Sequence, residues 1–165
     1  MIDAYLGRKA DLDDGAVHLL FSANRWEKRA GLLAALGAGE AVVADRYAFS
    51  GVAFTAAKGV AGLDEAWAAA PDAGLPAPDV VLYLDLPPAV AAARGGFGEE
   101  RYEEAGLLGR VRGLFDGMAG RGAGGCEWVR VDAAPGVEEV GAAVRAGVEG
   151  ALGRAGRGEP VRALW

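Results

Sequence analysis

Phe21 and Arg25 stand four residues apart, the spacing that puts two side chains on one helical face, so an aromatic ring and a guanidinium can address one planar ligand from adjacent turns. A nucleobase suits that pair. So does a plainer arrangement in which Phe21 is core and Arg25 makes a surface ion pair. Asp45-Arg46-Tyr47 follows the short apolar run Ala41 to Ala44. If that run is a strand of a parallel sheet, the triplet lies beyond its carboxyl end, where ligands collect in open α/β sheets. Arg46 could clamp a phosphate there, and Asp45 could hold a hydrated magnesium ion or order an attacking oxygen. The same residues also suit a turn that Asp45 caps and in which Arg46 pairs with it. Arg94 and Arg101 bracket Gly95, Gly96 and Gly98. That segment could be a lid that closes on phosphates and excludes water, or a solvated loop; its glycines lack the third member of the dinucleotide fingerprint.

Other chemistry is sparse. His18 shares a turn with Phe21 but has no serine or cysteine neighbour to mark it as a general base, and it reads as structural. Cys126, the single cysteine, follows Gly124 and Gly125 with nothing nearby to lower its thiol pKa. One cysteine makes no internal disulfide, and one histidine leaves no Cys/His cluster for structural zinc. The chain reads as intracellular.

These residues need elements to hold them. Val17, Leu20, Phe21 and Asn24 follow the i, i+3, i+4, i+7 spacing of a helix, with Asp11, Asp13 and Asp14 at its start. Leu32, Leu33 and Leu36 resume the apolar stripe before Gly37 and Gly39, which can end a helix in a left-handed conformation. Ala41 to Ala44, Val80 to Leu86 and Trp128 to Val131 read as strands, ending in or near Asp45, Asp85 and Asp132. Buried strands joined by helical crossovers form a parallel sheet covered by helices, so the fold class is α/β. Pro71 to Pro78 (PDAGLPAP) and the Gly- and charge-rich stretch after Arg94 interrupt as loops, and neither resembles a domain linker. The tail GRAGRGEPVRALW is a surface segment anchored by Leu164 and Trp165.

With 165 residues and 16.8 kDa, the chain has the length of one domain spanning 1–165, and 52% apolar with 24% charged residues is a globular composition. A net charge of -6 argues against a general nucleic-acid binder, whose field should attract phosphates. No apolar run approaches the ~20 residues of a membrane span, and the opening MIDAYLGRKADLDD is charged too early for a signal-peptide core. The cations divide as 14 Arg and three Lys beside 27 Gly, a bias toward small residues and arginine that weakens any isolated Gly or Arg as a signal.

Taken together, HLLFSANRWE (His18 to Glu27), DRYAFSGVAFTAAKG (Asp45 to Gly59), PDVVLYLDL (Pro78 to Leu86), RGGFGEERYE (Arg94 to Glu103) and the closing EPVRALW resemble, in order, the blocks of the eukaryotic-type thymidylate kinase family. The resemblance implies a three-layer α/β/α P-loop-kinase-like fold and transfer of the γ-phosphoryl group of ATP to dTMP, giving dTDP, with Mg2+ bridging the phosphates. It implies that Phe21 stacks on thymine, Arg25 bonds its carbonyl edge, and Arg46 holds the dTMP phosphate. Ser50, Gly51 and Phe54 would line the base pocket, Tyr102 would crowd the sugar, Arg94 would lie against adenine, Arg101 would serve the lid, and Asp45 would help place the magnesium. Partners would be dTMP and ATP, with a homodimer allowed and neither nucleic acid nor membrane involved; the setting would be cytoplasmic, without excluding nucleus or organelle.

The resemblance also exposes a departure. The family opens with a strand, a P-loop of the G-x-x-x-x-G-K-[ST] kind, a helix and a second strand, and Met1 aligns after all of them. Lys9, Lys28 and Lys58 follow Arg8, Glu27 and Ala57, so the sequence has no Gly-Lys pair. Little ATP affinity or turnover is expected from these residues by themselves, since the P-loop's backbone donors, lysine and hydroxyl normally hold the ATP phosphates and magnesium. An incomplete sheet is expected too. The family's first strand lies between those at Ala41 to Ala44 and Val80 to Leu86, so its loss leaves a gap or makes the neighbours close up, with a cost in stability.

Overall fold

The computed structural model describes residues 1–93, 105–155 and 160–165. A one-turn helix, α1 (Ile2–Leu6), precedes the long α2 (Asp14–Gly37). Asp13 starts α2: its carboxylate accepts from the amides of Gly15 at 2.9 Å and Ala16 at 3.1 Å, groups that a first helical turn otherwise leaves unmatched. Past the end of α2, Gly39 takes a φ of +79°, the left-handed geometry expected there. Then come α3 (Ala48–Ala56), α4 (Glu65–Ala69) running into a 3-10 turn at Ala70–Asp72, β1 (Val80–Asp85), α5 (Pro88–Ala92), α6 (Ala105–Gly120), β2 (Glu127–Asp132) and α7 (Val137–Ala155).

β1 and β2 pair in parallel, in register from Val80 opposite Glu127 to Asp85 opposite Asp132. Two of the expected strands are therefore present, and their terminal aspartates end the ladder side by side. The third is not. Residues 41–44 lie outside any ladder, with Val42 45% and Val43 91% exposed. A β-branched run becomes a strand only by bonding to a neighbour, and among the described residues no strand lies beside this one. Nor does it close up against β1. Asp45-Arg46-Tyr47 thus follows a loop, not a strand.

Helices cover both faces of the sheet. α7 packs on one face and α6 on the other, with α3 against α6; Tyr83 of β1 stacks on Phe115 of α6 at 5.2 Å. Phe49, Val52, Leu75, Met118 and Leu164 form the centre of the apolar core. Leu164 anchors the tail as expected. It is fully buried, and residues 162–164 bond the 74–77 segment through Gly74 N–H to Leu164 O (3.1 Å), Leu164 N–H to Leu75 O (2.8 Å) and Ala77 N–H to Arg162 O (2.8 Å). Trp165 stays 42% exposed, its ring 5.2 Å from Phe49. Among the described residues no helix is long and apolar enough to cross a membrane.

The α6-facing side of β1 ends in a charge. Asp85 receives Arg112 of α6 through Nε (2.6 Å) and Nη2 (2.9 Å), and Arg130 of β2 through Nη2 (2.5 Å) and Nε (3.0 Å). Arg130 reaches on to Asp116 at 3.3 Å. The Arg112 hydrogen bond leads in holding the Asp85 carboxyl well below the usual carboxylate range, against the opposing pull of burial. Burial, then Asp116 and Asp85, push the Tyr83 phenol up to about 12. An unfolded aspartate takes a proton near pH 4, about, whereas folded Asp85 resists it, so the stability this cluster supplies is complete above that pH and drains away as pH falls. Urea melts across pH should therefore show Asp85→Asn less stable than the parent at neutral pH, with the gap narrowing steadily toward about pH 2; parallel profiles would contradict the assignment.

Candidate functional site

α2 presents Ser22, Arg25 and Trp26 to the turn that follows α4, and all three fasten to it. The Ser22 hydroxyl donates to Asp72 Oδ1 at 2.7 Å and lies 3.1 Å from the Pro71 carbonyl. Trp26 Nε1 donates to the same carbonyl at 2.7 Å. Arg25 meets Asp72 with two prongs, Nε to Oδ1 at 3.1 Å and Nη2 to Oδ2 at 2.6 Å. The Asp72 side chain has no exposure and that of Arg25 only 12%. A carboxylate so enclosed needs its cation, and the paired prongs fix the plane of the guanidinium as well as its place.

The remaining edge of that guanidinium faces α3. A Cβ on Gly51 would lie 3.2 Å from Arg25 Nη2 and 3.6 Å from Nη1, so the lack of a side chain at Gly51 is what lets Arg25 approach the helix backbone. Phe21 sits one turn before Arg25 on α2, half-buried; Ser50 and Phe54 flank Gly51 on α3, half-buried as well. Ahead of α3, Arg46 adopts a φ of +64°, a left-handed conformation that costs a non-glycine residue about 1 to 2 kcal/mol. Its guanidinium lies over the Phe54 ring, 5.2 Å from the centroid. Strain of this kind gathers where a side chain must be aimed. Tyr47, next in sequence, has its phenol pushed up by burial and then by Asp72.

The structure therefore brings together Phe21, Arg25, Arg46, Ser50, Gly51 and Phe54 on and beside two packed helices. Asp45 is exposed and no ion pair joins it to Arg46, so the capped-turn alternative is not what forms; Tyr47 occupies the helix start. Arg94, Arg101 and Tyr102 lie outside the described residues. Lys58 is committed to Asp14 at 2.5 Å and to the Tyr5 hydroxyl at 3.2 Å. A cleft of about 600 Å³ opens between α1 and α2 around Ile2, Leu20, Ala23 and Asn24, on a side of α2 that none of the fastened residues uses, and it bears no arginine.

Asp72 and Ser22 are the residues that sequence reasoning missed. Asp72 sits inside the Pro- and Gly-rich stretch read as an interruption, yet Asp72, Leu75, Pro76 and Ala77 are all buried. The available signal was Pro71-Asp72 itself, one acid in an otherwise apolar, rigid octapeptide. Replacing Asp72 with Ala should strand a largely buried guanidinium and lower stability by about 3 to 5 kcal/mol, read from denaturant melts; Asp72→Asn, which keeps the Ser22 contact, should lose less. Equal stability for all three chains would show that Asp72 does not hold Arg25.

Similarity to known proteins runs through these same segments. A sequence profile described as thymidylate kinase matches residues 1–144. Thymidylate kinases of Arabidopsis thaliana and Homo sapiens are each 44% identical over 165 residues, the whole of this chain and 60% and 76% of their own lengths. A solved thymidylate kinase structure from Candida albicans superposes with a TM-score of 0.78 at 28% identity, covering 99% of this chain and 79% of that one. The chain thus spans three-fifths of the Arabidopsis relative and three-quarters of the human one. With a family match over most of its residues and such identity along its full length, the chain belongs to the thymidylate kinase family.

Proposed function

We propose that this chain forms the acceptor-nucleotide half of a kinase that moves the γ-phosphoryl group of ATP to dTMP. The observation that carries this reading is the Arg25 fork, held by Asp72 and presented across Gly51 to the α3 side of the helix pair. Thymine stacks on Phe21, and Arg25, which can only donate, bonds its carbonyl edge. Because Asp72 fixes the fork beforehand, little side-chain freedom is lost on binding. Arg46 takes the 5′-phosphate, aimed by its left-handed backbone and backed by Phe54. Ser50 and Phe54 close the pocket wall, Tyr102 screens the sugar, and Arg94 and Arg101 serve the donor side as a lid. Phosphoryl transfer asks for positioning and charge neutralisation, not a covalent nucleophile, and the proposed residues supply both.

For magnesium the proposal names Asp45. Asp45 is an exposed lone carboxylate, and the described residues hold no group of three His, Cys, Asp or Glu that could enclose a metal. Such a donor suits an ion that keeps most of its water and takes the rest from nucleotide phosphates. When bound, it would offset phosphate charge. Charged nucleotides do not cross a bilayer unaided, so we place the protein inside the cell with its substrates, in the cytoplasm, the nucleus or an organelle.

A second reading, a module that binds dTMP without turning over ATP, is favoured by the same geometry, since Phe21, Arg25, Arg46, Ser50, Gly51 and Phe54 all serve the acceptor side of the proposal. Two measurements on the purified 165-residue chain bear on them. At a hundred times its Kd, dTMP should stabilise the fold by about 2.7 kcal/mol, raising Tm by roughly 5 to 10 °C, and Arg46→Ala should abolish the shift. No shift at millimolar dTMP would refute an acceptor pocket of either kind. ADP release with dTMP present follows: sustained turnover supports the kinase from these residues alone and overturns the binding module, whereas background release is the outcome expected of an acceptor half by itself.

A further inference from the structure

We propose that His18 is a positioning residue for base recognition, fastening α2 to α3 and α4 and so setting the gap in which the Arg25 guanidinium meets its ligand. The inference rests on the acceptor-pocket reading above and adds to it a residue that touches no substrate.

His18 lies on α2 one turn before Phe21 and two before Arg25. It is buried, and both ring nitrogens are used. Nε2 is 2.9 Å from the Ala68 carbonyl of α4 and Nδ1 is 2.8 Å from Thr55 Oγ1 of α3. A carbonyl only accepts, so Nε2 carries the proton and Nδ1 accepts from the threonine hydroxyl, which fixes one tautomer of a neutral ring. The indole of Trp67 packs against that ring at 5.2 Å. These bonds join α2 to residues 37 and 50 positions further along the chain.

The consequence for the pocket appears at Gly51. The point where its Cβ would stand is 3.5 Å from His18 Cε1 and 3.2 Å from Arg25 Nη2. Imidazole and guanidinium therefore converge on one spot of α3, which they would crowd if the helices moved together and lose if they moved apart. Asp72 holds the guanidinium from one end; the spacing that His18 enforces limits its travel at the other. Burial, followed by the nearby Arg25, pulls the His18 pKa down, while the Ala68 bond, Asp72 and the Gly51 backbone oppose. The charged groups facing the ring are thus Arg25 from α2 and Asp72 from the 3-10 turn, and a neutral ring avoids setting a second cation beside Arg25.

The test compares His18→Gln, His18→Leu and Thr55→Val in the 165-residue chain. Glutamine offers one donor and one acceptor in place of the ring's pair; leucine offers neither; Thr55→Val leaves His18 and removes a single partner. Calorimetric titration with dTMP should give His18→Gln a Kd within about threefold of the parent and His18→Leu a Kd weaker by about tenfold or more. The NMR signal of the Arg25 Nε–H should stay put in His18→Gln, and in both His18→Leu and Thr55→Val it should shift and exchange faster with water. Parental affinity in His18→Leu, or an unmoved Arg25 signal in that variant, overturns the proposal. If His18→Leu does not fold, the Arg25 signal in Thr55→Val decides alone. Should the parent chain itself fail to bind dTMP, the acceptor-pocket reading falls, and the Arg25 signal still settles whether His18 positions that side chain.

Discussion

A carboxylate sealed from water must be met by a cation, and in this protein Asp72 is met by Arg25. Much of the molecule is arranged around that requirement. α2 must dock where Ser22 and Trp26 reach the same turn, α4 must end in a 3-10 turn that brings Asp72 inward, and α3 must offer bare backbone at Gly51. A buried ion pair adds little net stability over a well-packed apolar pair, because desolvating two charges offsets most of their attraction. What it adds is direction: a guanidinium gripped by two prongs points one way only.

The sheet shows a second use of the same chemistry. Where β1 ends, Asp85 gathers one arginine from α6 and one from the neighbouring strand, so a single carboxylate ties α6 to the sheet at its carboxyl end. Arg112 and Arg130 are a third to a half exposed, and solvent screens this cluster far more than the Arg25 pair. The two sites divide labour accordingly, one tying a helix to the sheet and the other aiming a donor.

Much of this was legible from residue order. β1 and β2 announced themselves as short apolar runs ending in aspartate, and α2 through its apolar spacing and Asp13 cap, because both signals are local. The face carrying Phe21 and Arg25 was equally plain. Ala41 to Ala44 misled because a strand belongs to a pair, and no run of four residues states whether its partner will be beside it. Asp72 was hidden for a related reason. A loop is buried by whatever folds over it, here α2 on one side and residues 162–164 on the other, and neither is near it in sequence. The left-handed turn at Arg46 likewise has no signal in residue type, since arginine is not a residue that selects it.

The bonding of the 74–77 segment to residues 162–164 carries a consequence for biogenesis. As the polypeptide leaves the ribosome, α2 and the Asp72 turn emerge early, yet the backbone groups just past that turn stay unmatched until a stretch made far later arrives to cover them. The burial of Leu75 is therefore completed late in synthesis, and nascent chains that stall before that point would display Leu75 and its apolar surroundings to the chaperones and proteases that survey new proteins.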